Sequence, residues 1–336
     1  MQDMQTPSLP AFVNKSINLA SAGLGAVGLY STDEFFAPLE RMLQDSDPVF
    51  IADKYDDHGK WMDGWETRRK RVLGHDFAVI RLATAGRIDG FDIDTAHFTG
   101  NYPPACRIEA CNAPNNPEEN TVWIEILPTV PLGPNKHHYF ETKSDMTWTH
   151  VRLHILPDGG VARLRVYGQP VLDQTSISGE EIELSSALNG GRVVGFSDAH
   201  YGLYNRLLAP GRGENMGDGW ETSRRRVPGN EWIIVALGTR GIINKVIVDT
   251  AHFKGNYPDQ CSIQAADLSA YGSDADQAII TSAMFWPNLV AKQKLKSDSI
   301  HDLTKNIEEI GPVTHVRLNV YPDGGVSRLK LFGRTA

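Results

Sequence analysis

The chain has 336 residues, 41% hydrophobic and 22% charged, with 31 Gly and 19 Pro, which suits about two packed domains and excludes a disordered or collagen-like chain. Its formal net charge of −8 argues against a sequence-independent nucleic-acid or membrane-surface binder, which needs a basic face. Three cysteines, Cys106, Cys111 and Cys261, form neither a disulfide framework nor a zinc spacing, and read as small buried hydrophobes in a reducing compartment.

In chain order, the first 20 residues lack the apolar run of a secretory signal, and SAGLGAVGLY is too short and glycine-rich to cross a bilayer. A soluble, cytoplasmic protein is expected. Asp33 to Leu43 carries Phe35, Phe36, Leu39 and Leu43 at helical spacing with acids in the first turn, and predicts a helix. Strands are predicted over Phe77–Leu82, Gly90–Thr95, Cys106–Ala110, Val122–Leu127, His150–Leu156 and Ala162–Tyr167, short Val- and Ile-rich runs between Gly, Pro and Asn clusters. In His150–Ile155 the apolar side chains Val151, Leu153 and Ile155 alternate with Arg152 and His154, the period of a half-buried strand. Pro157-Asp158-Gly159-Gly160 supplies turn chemistry for a hairpin into Ala162–Tyr167.

The chain is written twice. Asp63–Val72 returns as Asp218–Val227 with 8 identities in 10, and Asp94–Pro103 as Asp249–Pro258 with 9 in 10, both at an offset of 155. Thr149–Gly168 returns as Thr314–Gly333 with 13 identities in 20, at an offset of 165. TDEFF at Thr32 and SDAHY at Ser197 also align at 165, so the first copy holds about ten extra residues near Asp45–Lys60. The second holds about ten between its middle and last blocks. This is duplication of a whole domain. The fold class is all-β: two tandem jelly-roll or β-sandwich domains, residues 16–170 and 190–336, joined by a linker over 171–189.

Three repeated blocks carry polar groups. In the DGWET block, Glu66 and Glu221 are candidate acids or bases, and Arg69 and Arg224 candidate clamps for an anion. The plain alternative has the Trp plugging the core and the acid pairing with an Arg. In the DTAHF block, His97 and His252 could shuttle protons, or hold a metal beside Asp94 and Asp249. The alternative leaves Asp, Thr and Asn bonding the turn backbone. The last block aligns Arg152 with Arg317 and adds Arg163 and Arg165, a positive patch for a carboxylate or a solvated cationic face.

Lys60-Trp61-Met62-Asp63-Gly64-Trp65-Glu66-Thr67-Arg68-Arg69-Lys70-Arg71, with the DTAHF-GNYP and THVRL-PDGG blocks, resembles the allantoicase family from about Asn18 to Gly333. The resemblance implies two jelly rolls of the galactose-binding type. It also implies hydrolysis of allantoate to ureidoglycolate and urea in uric acid breakdown, by a homo-oligomer. The Lys-Trp-Met start is absent from the second copy, which shows Asn215-Met216-Gly217, so a role resting on Lys60 or Trp61 belongs to the first alone. That chemistry wants an Arg for the carboxylate, an acid for the departing urea, and a base or a metal-bound water for the incoming hydroxide. Glu66, His97, Glu221 and His252 are the catalytic candidates, and Arg69, Arg224, Arg152 and Arg317 the substrate-binding ones. The residues make no cofactor certain, and a divalent metal stays open. The partner is the small ureide, with no nucleic acid and no membrane. Two other readings share these residues: a ureidoglycolate lyase-type enzyme and a non-catalytic glycan-binding jelly roll.

Overall fold

In a computed structural model, which describes residues 9–142, 144–172, 179–271 and 276–336, the chain divides into units 1–171 and 172–336. The first carries helix α1 (Ala11–Lys15) and strands β1 (Ile17–Asn18), β2 (Val27–Ser31), β3 (Tyr55–Asp56), β4 (Gly59–Lys60), β5 (Trp65–Glu66) and β6 (Asp76–Asp94). There follow β7 (Ala105–Cys111), β8 (Ile124–Pro131), β9 (His137–Glu141), β10 (Thr147–Leu156), β11 (Gly160–Val161) and β12 (Arg163–Pro170). The second repeats them as β13 (Ile182–Glu183), β14 (Arg192–Phe196), β15 (Trp220–Glu221), β16 (Glu231–Asp249) and β17 (Gln260–Ala266), with helix α2 (Asp276–Ser282). It closes with β18 (Asn288–Lys294), β19 (Ile300–Asp302), β20 (Val313–Tyr321), β21 (Gly325–Val326) and β22 (Arg328–Thr335).

Each unit is organised by one long bent strand. The two runs predicted as Phe77–Leu82 and Gly90–Thr95 are a single 19-residue strand, β6. Its first half pairs with β2 and β10, and its second half with β9 and β12. β6 therefore belongs to both sheets of the sandwich, as β16 does in the second unit. Gly86 sits at the bend, where a β carbon would lie 2.8 Å from Leu19 Cδ1 and 2.9 Å from the Gln169 carbonyl. A bulge at Asp89, where the β12 register skips from Gly90 to Ile88, changes which side chains face inward. Ala78 and Ile80 before it, and Phe91 and Ile93 after it, all reach the core.

Two sequence expectations change. Pro157–Gly160 does not close a hairpin, because β10 and β12 pair with different halves of β6; the turn carries the chain between sheets. Asp33–Leu43 is not a helix. Pro38 has no amide hydrogen to donate, and only a 3-10 turn at Leu39–Leu43 follows it, burying Leu39, Met42 and Leu43. Of the stretch read as linker, 173–178 lies outside the described residues, while β13 bonds β22 in the second sheet.

The offset arithmetic is visible as structure. The first unit's extra residues include the β3–β4 hairpin, and the second unit's include α2. All three cysteines are buried free thiols, pushed up by burial to about 12 for Cys106 and Cys261 and about 11 for Cys111.

Candidate active site

The three repeated blocks meet at one end of each sandwich. β5 pairs with β11, so Glu66 lies opposite Gly160, while the Gly160 amide donates to the Asn101 carbonyl at 2.7 Å. A β carbon on Gly160 would fall 2.0 Å from the Phe98 ring, and one on Gly325 would fall 2.1 Å from Phe253. Only glycine lets the PDGG turn close over that ring, which ties the blocks together.

Trp65 and Trp220 are fully buried, each donating its indole N–H to a main-chain carbonyl, Asp33 at 2.9 Å and Asp198 at 2.8 Å. Neither ring faces solvent, so neither offers a sugar-stacking platform. Asn101 Nδ2 donates to Glu66 Oε1 at 2.5 Å, and Asn256 makes the same short bond to Glu221. Asparagine is thus the acid's partner, where an arginine brace was the sequence-level alternative. Glu66 is only 8% exposed, and burial, aided by the Asp56 charge, raises its carboxyl pKa above the ordinary range. Glu221 is half-buried.

The first-copy insertion approaches Glu66. Asp56 is on the β3–β4 hairpin, and His58 packs 4.2 Å from Phe35 beside the DGWET strand. The same insertion reaches His97: the Pro48 carbonyl accepts from His97 Nε2 at 3.1 Å, and the Phe50 ring stacks on the imidazole at 5.7 Å. Lys60 Nζ donates to the Ile51 carbonyl at 2.8 Å and lies 4.8 Å from both the Phe50 and Tyr55 rings. In the second unit His252 Nε2 donates to the Gly213 carbonyl at 2.7 Å, and among the described residues that unit has no counterpart of the β3–β4 hairpin.

Both histidines hold left-handed backbone, φ 68° at His97 and 69° at His252, a strained setting for a non-glycine residue. Their amides are held by Asn135 Oδ1 and Asp298 Oδ1, each at 2.8 Å. Facing a carbonyl, each Nε2 carries a proton, and in a neutral ring Nδ1 is then the acceptor nitrogen.

The arginines separate into unlike environments. Arg69 and Arg224 are exposed and make no ion pair among the described residues. Arg152 is occupied: its Nε and Nη2 both donate to Glu109 Oε2, at 2.8 and 2.5 Å, above the Trp123 ring. Arg317 is 8% exposed, lies over Trp232 at 4.8 Å, and faces Gln264 where Arg152 faces Glu109. The cationic face expected from Arg163 and Arg165 is not solvated. Arg163 is completely buried, with Nη2 donating to Asp63 Oδ2 at 2.8 Å; Arg328 repeats this with Asp218 at 2.8 Å. Arg165 Nη1 donates to Asp92 Oδ2 at 3.1 Å, beside His137 and Asp94. Asp94 is wholly buried, and burial raises its carboxyl. Sequence reasoning missed Asn101 and the Asp63–Arg163 pair, although Asn101 and both pair members fall inside the repeated blocks. Among the described residues no group of three His, Cys, Asp or Glu side chains converges as a metal set.

Burial works against the Glu109 carboxylate, yet Arg107, His154 and Arg152 outweigh it and hold the carboxyl at about 2. A depressed pKa stabilises the fold above the ordinary glutamate range, and this contribution is lost as pH falls through about 2. Glu109→Gln is expected to cost about 1–3 kcal/mol at pH 7, since Arg152 loses its partner, and to flatten the acid limb of stability. Denaturant melts at pH 7, 4 and 2.5 check this; an unchanged pH 7 midpoint would make the pair energetically idle.

An allantoicase repeat model matches residues 17–171 and 182–336. A Rhizobium meliloti (strain 1021) protein named "Probable allantoicase" is 60% identical over 329 residues, covering 98% of this chain and 96% of its own. The chain belongs to the allantoicase family. A "Probable allantoicase" of Pseudomonas syringae pv. syringae (strain B728a) is 55% identical, covering 96% and 97% of the two chains. The crystal structure of Saccharomyces cerevisiae allantoicase superposes with a TM-score of 0.78 at 34% identity, covering 95% of this chain and 93% of that one. The allantoicase architecture is therefore this twofold-repeated sandwich, with a hairpin insertion in one repeat of this chain.

Proposed function

We propose that the protein hydrolyses allantoate to ureidoglycolate and urea, a step of uric acid breakdown, with its working site in the first domain. The observation that carries this placement is Glu66, buried near the hairpin and bonded by Asn101, with burial raising its carboxyl pKa in the direction a general acid needs. As the carbon–nitrogen bond breaks, the Glu66 proton goes to the departing nitrogen, so urea leaves neutral. A water oxygen bonds the same carbon, and its proton passes to His97 Nδ1, whose ring is fixed through Nε2. Incubation with allantoate should give urea and ureidoglycolate in equal amounts. Stoichiometric ammonia in place of urea, or no turnover with and without added divalent metal, would refute the reading.

Arg69, exposed and without an ion pair among the described residues, suits the substrate carboxylate. Arg69→Lys keeps the charge and loses the planar fork. It is expected to raise KM by roughly 10–150-fold with little change in kcat. Michaelis kinetics of Arg69→Lys beside Arg224→Lys test this; unchanged KM in both removes arginine clamping at this block. The buried free thiols suit the cytoplasm, and exposed Val72, Leu73, Met284 and Phe285 are surface a homo-oligomer would cover. Sedimentation equilibrium giving a monomer would end the oligomer part, and secretion of the protein would end the cytoplasmic part.

A further inference from the structure

The first domain has a polar recess at the other end of β10 from the PDGG turn. His150 and Leu156 are six residues apart on this strand, roughly 20 Å. A cleft of about 490 Å3 opens beside His150, lined by Arg81, Ala113, Asn115, Asn116 and Thr149 among others. Its size is within the range of small-molecule sites.

Its groups are poised for a ligand. Arg81 lies opposite His150 across the β6–β10 ladder. It is exposed and makes no ion pair or hydrogen bond to a described side chain. His150 is 2% exposed; its Nδ1 meets Thr149 Oγ1 at 2.8 Å, and its Nε2 is buried without a partner among the described residues. Burial, with the Arg81 charge, lowers the His150 pKa and favours the neutral ring. Asn115 and Asn116 add amides that both donate and accept.

The second domain does not keep this site. Ala236 stands opposite His315 where Arg81 stands opposite His150. The Trp286 ring lies edge-on to His315 at 6.3 Å, and Ile279, Ala283 and Trp286 form an apolar cluster with Ile234 on this face. The extra residues of the second copy, which include α2, therefore cover the face that the first copy leaves as a polar cleft.

We propose that this cleft binds a small organic carboxylate bearing amide or ureido groups, with Arg81 taking the carboxylate and Asn115 and Asn116 the amide end. The ureido part rests on the proposed allantoate activity, since substrate and product both have this chemistry. The site is separate from Glu66, which makes it an accessory site of the first domain.

Isothermal titration of the full chain with N-carbamoylglycine, a carboxylate with one ureido group, tests the assignment, with acetate and urea as its two halves. Arg81→Gln, at an exposed position, should weaken one binding event by roughly 10–150-fold. Ala113→Phe, which fills the cleft, should remove the same event. In both variants urea release from saturating allantoate should stay within a few-fold of the parent. Identical isotherms for parent and both variants, no binding to the parent, or urea binding as well as N-carbamoylglycine would overturn the site. Failure of the allantoate reading would appear separately, as a parent protein that binds N-carbamoylglycine in an Arg81-dependent way yet releases no urea.

Discussion

Glu66→Gln is expected to lower kcat for allantoate hydrolysis by about 10²–10⁴-fold, the usual worth of a positioned general acid. Glu221→Gln should leave it within a few-fold. The asymmetry rests on two differences: Glu66 is 8% exposed and feels the Asp56 charge of the hairpin, whereas Glu221 is half-buried and, among the described residues, its unit has no counterpart of that hairpin. The pH profile supplies a second reading. Because burial raises the Glu66 carboxyl, the protonated, working form persists to higher pH than an ordinary glutamate allows and is lost above the raised pKa. That limb should vanish in the residual activity of Glu66→Gln. Stability should move the other way: a carboxyl whose pKa burial raises works against folding above the ordinary glutamate range, so at pH 7 Glu66→Gln should melt no lower than the parent. A large fall in melting temperature with kcat unchanged would return Glu66 to a structural role.

Asp63→Ala should be among the most destabilising single changes in the first domain, about 3–5 kcal/mol, because it leaves Arg163 buried with its charge unpaired. For a domain of this size that is roughly 6–20 °C in Tm. Asp218→Ala should do the same in the second domain, where Arg206 and Arg328 both depend on this carboxylate, at 2.6 and 2.8 Å. Arg69→Ala and Arg224→Ala, on exposed side chains, should stay within about 0.5 kcal/mol. The double replacement Asp63→Leu with Arg163→Met should recover most of the loss, since a buried ion pair and an apolar pair of similar volume are close in energy. Calorimetry on the parent and the five variants decides it, and a near-parental Asp63→Ala would show that water reaches Arg163.

The duplication, the β class and the position of both insertions were legible in the sequence, because each is a property of spacing along the chain. Val151, Leu153 and Ile155 alternate with Arg152 and His154, and the three apolar side chains are fully buried. The turn at Pro157–Gly160 was misread because Gly and Pro mark a change of direction without saying which strand lies on the far side. The apolar spacing of Leu39 and Leu43 was real, but Pro38 limits it to a single tight turn. Polar partners were the least legible. Arg163 and Asp63 are 100 positions apart, and Glu66 and Asn101 are 35 apart; alternation tells which way a side chain points and not what it meets. The unlike environments of Arg152 and Arg317 come from Glu109 against Gln264 on the neighbouring strand.

The long bent strand also bears on how each domain comes apart. Since β6 supplies ladder hydrogen bonds to β10 in one sheet and β12 in the other, the sheets cannot peel away separately without breaking the backbone pairing of a shared element. Amide protons on Val151 and Val166, in opposite layers, should therefore exchange with solvent through one concerted opening, at matching free energies.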